Sequence, residues 1–401
     1  MSGNKFRVIE IDDFKDAKKR VKDVVSGIEN IKRLQEKTLF RAIEIKNLDA
    51  RAANILNYEA LSCNVEAIIS EDVFNFSVKT TDIILLGTIR NYEKLYYRLK
   101  TKKFGLSKLS EELKDTLLKY DSNYEEVTVG DYTFNFNEKT YIMGILNITP
   151  DSFSDGGNFL TPELAIKRAI EMKKNGADII DIGAESSRPG ATPVTAEQEL
   201  ERLIPVVEEL RKEIDLPISI DTYKSEVAKE MLERGVHIIN DITGLKGDPK
   251  LSEVISDYEA LAVIMHMQGT PQNMQKNPEY EDVVADVIEE LRKSIQIAEI
   301  SGIRDKNIIV DPGIGFGKTV KHNLEIFKRL KEFKSLGMPI LIGASRKSMI
   351  GEILDLPIGE RIEGSVALAV AASLKGASIL RVHDVKETYR ALKMIDAIKN
   401  I

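Results

Sequence analysis

Polar side chains that can take part in catalysis or binding follow several short apolar runs in the second part of this chain. The run at 141–146 ends at Asn147 and leads into a polar segment that closes on Gly156 and Gly157. Amide, carboxylate, imidazole and cationic groups at such ends can bind anions, recognise polar ligands and stabilise charge. Residues of these types end or follow eight apolar runs: Asn147, Asp181, Glu185, Asp221, Asn240, Asp241, His266, Asp311, Lys347, Arg381, His383 and Asp384. The pattern is typical of an enzyme, although any one of these residues could instead cap a helix or fasten a loop.

The spacing of the apolar runs indicates how these residues are positioned. Eight β-type runs are predicted at 142–148, 178–183, 218–221, 236–242, 262–266, 308–311, 340–343 and 378–383. Helical patterns are predicted at 162–175, 196–214, 225–234, 249–257, 281–300, 323–336, 361–374 and 385–398. This alternation predicts an α/β fold, a closed (β/α)8 TIM barrel, in which the carboxyl ends of all strands meet at one rim. The alternative is a doubly wound sheet, which usually has a glycine-rich first turn that is missing here.

The chain is predicted to have two domains. Residues 1–122 have helical patterns at 13–34 and 108–120 and a weak strand at 83–86, which predicts a smaller amino-terminal α/β domain of unknown role. Its expected role is packing against the barrel or a partner subunit, with a regulatory ligand site as the alternative. Residues 123–401 form the barrel domain, and two β-type runs around Gly130 and Asp131 predict a hairpin that plugs its bottom.

Composition limits the classes of function. The 401 residues are 43% apolar and 30% charged, which describes a globular chain, and the net charge of −7 disfavours a general nucleic-acid or anionic-membrane surface. The first residues lack an apolar secretory core, and no apolar run approaches the roughly 20 residues that span a bilayer, so we expect a cytoplasmic protein. Cys63 is the only cysteine, which excludes an intrachain disulfide and predicts a buried thiol.

From about residue 132 onward, the chain resembles dihydropteroate synthase. The resemblance rests on an ordered set of motifs: NITPDSFSDGG at 147–157, DIGAESSRPG at 181–190, SIDT at 219–222, INDI at 239–242, MHMQG at 265–269, DPGIGFGK at 311–318, SRKS at 345–348 and RVHD at 381–384. It implies that a pterin methyl pyrophosphate is joined to the amine of 4-aminobenzoate, which gives 7,8-dihydropteroate and pyrophosphate. It also implies Mg²⁺, a homodimer and a target of sulfonamides.

The pterin ring needs carboxylates and an amide inside a narrow pocket, because its edge alternates hydrogen-bond donors and acceptors. Asp221, Asn240 and Asp311 meet this need, and Lys347 can donate to the ring oxygen. The resemblance assigns the walls of the pocket to Ile242, Met265, Phe316 and Gly343. For Met265 and Phe316, ordinary barrel core is an equally good interpretation.

The pyrophosphate needs concentrated positive charge. Arg188, Arg381 and His383 are expected to donate to it, and Asn147 is expected to offer an oxygen to Mg²⁺. For His383 the alternative is a core histidine bonded to Asp384.

The resemblance assigns the 4-aminobenzoate pocket to Thr149, Pro150, Ser187, Arg188, Phe316, Lys347 and Ser348. Ser187 stands where the family commonly has threonine. An aromatic amine is neutral at pH 7 and needs no base, so we expect a dissociative displacement: pyrophosphate leaves first, and Asp221 and Asp311 stabilise the pterin cation.

Two other functions share part of this pattern. A pterin-dependent methyltransferase that acts on a corrinoid protein would use the same carboxylates and amide, but it would not need Arg381, His383 or the segment 345–348. A non-catalytic pterin-binding protein would most simply arise by loss of donors in the first loop or eighth strand, and both sets are intact. Release of pyrophosphate from the two substrates would discriminate among the three.

Overall fold

The computed structural model describes residues 6–25, 28–149, 161–186 and 192–399. The chain divides into two compact units, Met1–Ser122 and Asn123–Ile401. Pro150, Ser187 and Arg188 lie outside the described residues, as does most of the predicted first loop. Within the described part, no helix is long and apolar enough to cross a membrane.

The first unit contains an antiparallel sheet and helices. Its elements are α1 (Phe14–Lys22), α2 (Ile28–Thr38), β1 (Phe40–Asp49), α3 (Ala50–Ser62), β2 (Glu66–Ile69), β3 (Thr80–Thr88), α4 (Ile89–Leu99) and α5 (Leu106–Asp121), with strand order β1-β3-β2. The alternate β3 residues Ile83 and Leu85 are buried in one core with Cys63, whose predicted burial is confirmed. The helical pattern at 13–34 corresponds to two helices, α1 and α2. The long strand β1 was not predicted, since charged residues separate its apolar ones.

The second unit is a parallel barrel, so the predicted fold is confirmed. Its strands are the hairpin β4 (Val127–Val129) and β5 (Tyr132–Phe134), followed by β6 (Tyr141–Asn147), β7 (Ile179–Gly183), β8 (Ile218–Asp221), β9 (Ile238–Asp241), β10 (Leu261–Met265), β11 (Ile308–Asp311), β12 (Leu341–Ile342) and β13 (Ile379–Val382). The eight parallel strands have the order β11-β10-β9-β8-β7-β6-β13-β12. A parallel bridge between Val310 and Ile340 closes the ring.

Helices follow the barrel strands, as the alternation predicts. They are α6 (Pro162–Lys174), α7 (Ala196–Glu213), α8 (Ser225–Glu233), α9 (Leu251–Asp257), α10 (Val283–Ile300), α11 (Val320–Lys328), α12 (Ser348–Leu354), α13 (Ile362–Leu374) and α14 (Val385–Lys399). Thr195 and Gln198 form a capping box at α7. The helix predicted at 323–336 is corrected: α11 begins earlier, where Thr319 accepts from His322 N–H, and a 3-10 segment, Leu330–Leu336, follows it. The short helix α12 was not predicted.

Successive side chains along each strand point alternately out of and into the barrel, so the hydrophobic core has an outer and an inner layer. Outward residues such as Ile180 and Ile220 pack with the helices. Inward residues at the amino-terminal end of the strands, including Met143 and Ile179, pack with Phe134 of the hairpin. The hairpin therefore closes the bottom of the barrel, as predicted, and the polar inward residues lie at the opposite, carboxyl-terminal rim.

Candidate active site

Four residues form one row across neighbouring strands at the rim. Asn147 pairs with Gly183, Gly183 with Asp221, and Asp221 with Asn240, on β6 to β9. A Cβ atom added at Gly183 would lie 3.3 Å from Asn147 Oδ1 and 3.9 Å from Asp221 Oδ2. The absence of a side chain at Gly183 therefore leaves the predicted metal-binding amide and the predicted pterin carboxylate facing the same space.

Arg381 on β13 lies between two carboxylates. Its Nε donates to Asp181 Oδ2 at 2.7 Å, and its Nη2 donates to Asp221 Oδ2 at 2.8 Å. Asp181 is completely buried and also accepts from Asn240 Nδ2 at 3.5 Å. The guanidinium predicted to bind pyrophosphate thus also holds the carboxylate predicted to bind pterin. Asp181 was recognised as a rim residue but was not predicted to belong to the site.

Burial brings the pKa values of the central carboxylates and of Lys347 closer to 7. It raises the pKa of Asp221 to about 7, because the cost of burying the charge exceeds the attraction of Arg381, and Asp181 adds to the rise. Burial also raises the pKa of Asp311 to about 6, although the Gly313 N–H donates to Asp311 Oδ1 at 2.7 Å. The pKa of Lys347 falls to about 8, again mainly through burial. Such shifts are typical of functional sites, where a bound ligand supplies the missing partners.

The predicted wall residues come together above the barrel core. Ile242, Met265 and Phe316 form a separate buried cluster with Met274. The Nζ of Lys347 lies 4.1 Å from the centre of the Phe316 ring, a cation–π contact. This separation from the two core layers favours the ligand-wall interpretation of Met265 and Phe316 over ordinary barrel core.

His383 has partners other than the one considered from the sequence. Its backbone N–H donates to Ser345 Oγ at 3.2 Å, and its Nδ1 lies 3.2 Å from the same oxygen. Asp384 accepts instead from Arg346 Nε at 3.1 Å. Burial, with the nearby arginines Arg346 and Arg381, lowers the pKa of His383 to about 3. The imidazole is therefore neutral at pH 7 and offers a neutral donor before an anion binds.

The remaining predicted residues border the same rim. Thr149 is buried at the end of the described part of the first loop, and Ser348 is exposed at the start of α12. A Cβ atom added at Gly343 would lie 3.7 Å from Arg381 Cβ, an ordinary contact that leaves the arginine side chain in place.

A half-buried lysine, which the sequence pattern did not reveal as important, fastens the base of the second loop. Lys224 Nζ donates to Glu199 Oε2 at 2.6 Å and also pairs with Glu185, which Tyr223 O–H reaches at 3.5 Å. Burial raises the pKa of Glu199, and Lys224 opposes the rise. The signal was weak, because Lys224 follows the strand end by three residues and resembles an ordinary helix-start residue.

The described side chains at the rim offer few ligands to a metal ion. The described ranges contain no group of three or more His, Cys, Asp or Glu side chains that could hold a metal. Asn147 and Asp221 nevertheless offer oxygens on either side of Gly183. This is compatible with Mg²⁺ that takes most of its ligands from substrate phosphates and water.

An eight-stranded barrel with buried carboxylates, an amide and cations at its carboxyl-terminal rim defines a (β/α)8-barrel enzyme. Comparison with known proteins narrows this class. The family model described as pterin binding enzyme matches residues 143–383. The chain therefore belongs to the family of pterin-binding enzymes.

Individual relatives agree with this assignment. A Clostridium beijerinckii protein named dihydropteroate synthase is 49% identical over 271 residues, which cover 67% of this chain and 98% of the relative. A Yersinia pestis dihydropteroate synthase solved as a sulfonamide drug complex has a TM-score of 0.67 and 41% identity, covering 69% of this chain and 100% of that one. A Xanthomonas albilineans dihydropteroate synthase in complex with 7,8-dihydropteroate has a TM-score of 0.61 and 35% identity, covering 69% of this chain and 99% of that one. The resemblance inferred from the motifs is confirmed.

Proposed function

We propose that this chain is a transferase that joins 6-hydroxymethyl-7,8-dihydropterin pyrophosphate to 4-aminobenzoate and releases pyrophosphate, the dihydropteroate synthase reaction of folate biosynthesis. The observation that carries the proposal is the grouping of Asp221, Asn240 and Asp311 beside Lys347 at the carboxyl-terminal rim of the barrel. Carboxylates, an amide and an ammonium group complement the alternating donors and acceptors of a pterin edge.

The pterin would enter with its ring against Met265 and Phe316. Asp221 and Asp311 have pKa values raised to about 7 and about 6 by burial, so each gains most from a ligand that donates N–H groups. Binding would ionise both carboxylates fully, since hydrogen bonds to the charged form lower the pKa. The site would then be negative around the ring, the charge distribution that stabilises a cation there.

The displacement would be dissociative. Departure of pyrophosphate leaves positive charge on the exocyclic methylene and the ring, which Asp221 and Asp311 stabilise in the transition state more than in the ground state. Arg381 keeps Asp221 oriented and directs positive charge toward the leaving group, and His383 offers a neutral donor. The neutral amine of 4-aminobenzoate then attacks the cation and loses a proton, so the site needs no strong base.

Mg²⁺ would be held by Asn147 together with oxygens of the bound pyrophosphate. Bound there, it would neutralise the charge of the leaving group. One neutral protein ligand gives little affinity by itself, so metal binding should require pyrophosphate. Titration calorimetry with Mg²⁺, with and without pyrophosphate, tests this: binding of equal strength in both cases would contradict it.

The homodimer implied by the resemblance is also a proposal. The late barrel helices, α13 in particular, are the expected interface, and α13 has several exposed or half-buried apolar residues. Light scattering of the purified chain measures the oligomeric state directly, and a monomer at micromolar concentration would contradict the proposal.

The reaction itself is tested by pyrophosphate release. Pyrophosphate should appear only when the pterin pyrophosphate and 4-aminobenzoate are both present, and mass spectrometry should detect 7,8-dihydropteroate in equal amount. A chain that instead transfers a methyl group from methyltetrahydrofolate would be a methyltransferase, and a chain that binds pterin without turnover would be a binding protein.

A further inference from the structure

A buried lysine, Lys318, lies beside the candidate active site and has no role in the proposed chemistry. Lys318 ends the loop that follows β11, and only 3% of its surface is exposed. Its Nζ donates to Gly313 O at 3.1 Å and to Phe316 O at 3.0 Å, and it lies 2.9 Å from His266 Nδ1. One ammonium group thus joins two points of the loop to the residue that follows β10.

The direction of the hydrogen bond to His266 depends on the charge of Lys318. Charged Lys318 has three donors and no acceptor, so in that state His266 Nδ1 accepts and the ring proton sits on Nε2. Burial lowers the pKa of His266 to about 2, which is consistent with a neutral ring. Burial lowers the pKa of Lys318 itself to about 7, Asp311 opposes that change and Lys347 adds to it. The neighbouring acceptors are therefore what retain a polar amine in this buried position.

Two glycines allow the loop to lie against the main chain that follows β10. Gly313 has a φ of +71°, and a Cβ atom there would lie 1.9 Å from His266 O. Gly317 has a φ of +60°, and its added Cβ would lie 2.5 Å from Gln268 O. The loop thus lies directly against the main chain that follows β10. The Gly313 carbonyl also accepts from Phe316 N–H at 3.1 Å, and the Phe316 carbonyl accepts from Lys318, a buried donor.

The loop carries the ring that faces Lys347. Phe316 accepts from Lys318 through its own carbonyl oxygen, and its ring lies below Lys347 Nζ at 4.1 Å. A rotation of this peptide would move the ring away from the wall it forms with Ile242 and Met265. We propose that Lys318 is a positioning residue that fixes the loop between Gly313 and Phe316, and thereby holds the Phe316 ring in place as the wall of the 4-aminobenzoate site. This inference rests on the proposed function.

The replacement Lys318→Met tests the proposal, because methionine fills a similar volume without a donor. We expect the KM for 4-aminobenzoate to rise about tenfold, the effect of losing a hydrogen bond from a charged group, with a smaller change in kcat. Lys321→Met is the matched control, since Lys321 is exposed on the same segment, and its KM should match that of the wild type. A purely structural role would lower the fraction of active protein and leave the KM unchanged.

A double-mutant cycle identifies the route of the effect. If Lys318 acts through Phe316, Lys318→Met should change the KM less than about twofold in a Phe316→Ala background. An equal change in both backgrounds would overturn the proposal. Should Lys318→Met fail to fold, His266→Gln removes a single contact of the amine, and we expect a smaller rise in the same KM; an unchanged KM would overturn the proposal. Wild-type protein without pyrophosphate release would instead refute the proposed function, so the two failures are distinguishable.

Discussion

Replacing Asp181 by asparagine tests how the guanidinium of Arg381 is held. The side chain keeps its shape and loses its charge. In the native site, Arg381 Nε donates to Asp181 Oδ2 at 2.7 Å, and Asp181 is inaccessible to water. After the change, Asp221 becomes the remaining carboxylate that accepts from this guanidinium, at 2.8 Å.

The magnitude follows from burial. Removing one partner of a buried ion pair costs about 3–5 kcal/mol, because it leaves a charge without compensation. Since Asp221 still pairs with Arg381, we expect the lower end, about 3 kcal/mol. For a unit as large as Asn123–Ile401 this corresponds to a fall in melting temperature of about 5 °C, since the entropy of unfolding is about 2.1 cal/mol/K per residue.

The same change should shift the pH dependence of the rate. Burial raises the pKa of Asp221 to about 7, and the charge of Asp181 contributes to that rise. Without that charge Asp221 ionises at lower pH, because Arg381 then pairs with Asp221 and no longer with a second carboxylate. If the ionised form of Asp221 stabilises the pterin cation, the acid limb of kcat/KM should move to lower pH, by about one unit.

Thermal unfolding and a pH profile of pyrophosphate release measure the two effects. Asp178→Asn is the control: Asp178 precedes the same strand, pairs with partly exposed Lys139 and accepts from Ile142 N–H at 2.8 Å, which asparagine can still do. It should cost less than about 1 kcal/mol, as surface pairs do. An Asp181→Asn protein that is as stable as this control, with the acid limb of kcat/KM at the wild-type pH, would refute this role of Asp181.

Four further changes test the remaining parts of the argument. Alanine at Asp221 or Asp311 should lower kcat by about two to three orders of magnitude and change the KM for 4-aminobenzoate far less; the opposite pattern would refute their role in stabilising the cation. Phe316→Ala removes the ring that forms a wall of the proposed site and contacts Lys347, so the KM for 4-aminobenzoate should rise about tenfold. A KM equal to that of the wild type in steady-state kinetics would contradict this. Gly313→Ala should lower the melting temperature markedly, because the φ of residue 313 is +71° and the added Cβ atom would lie 1.9 Å from His266 O. An unchanged melting temperature would show that the loop lies elsewhere. A chain that begins at Asn123 should retain pyrophosphate release, because each unit buries a core of its own, and complete loss of activity in a folded, truncated protein would give the first unit a catalytic role.

The repeated units of the barrel were predictable because they depend on local patterns. Each strand is a mainly apolar run, and β8 and β11, which both end in an aspartate, have the predicted bounds, Ile218–Asp221 and Ile308–Asp311. Helix starts were predictable where a capping residue marks them, as Thr195 does at α7. The first unit was harder to predict, because β1 alternates charged and apolar residues and is stabilised by its pairing with β3, a partner that begins more than thirty residues later.

The amino-acid sequence by itself determined the barrel, its hairpin plug and most of the residues at the rim, because the position of a residue at the end of a strand is a local property. It did not determine which rim residues contact one another. The pairing of Arg381 with Asp181 and Asp221, the Lys224 contact with Glu199, and the Lys318 contact with His266 join residues on different elements. Such contacts exist only after the elements have packed together, so their geometry and pKa shifts are decided by the tertiary structure.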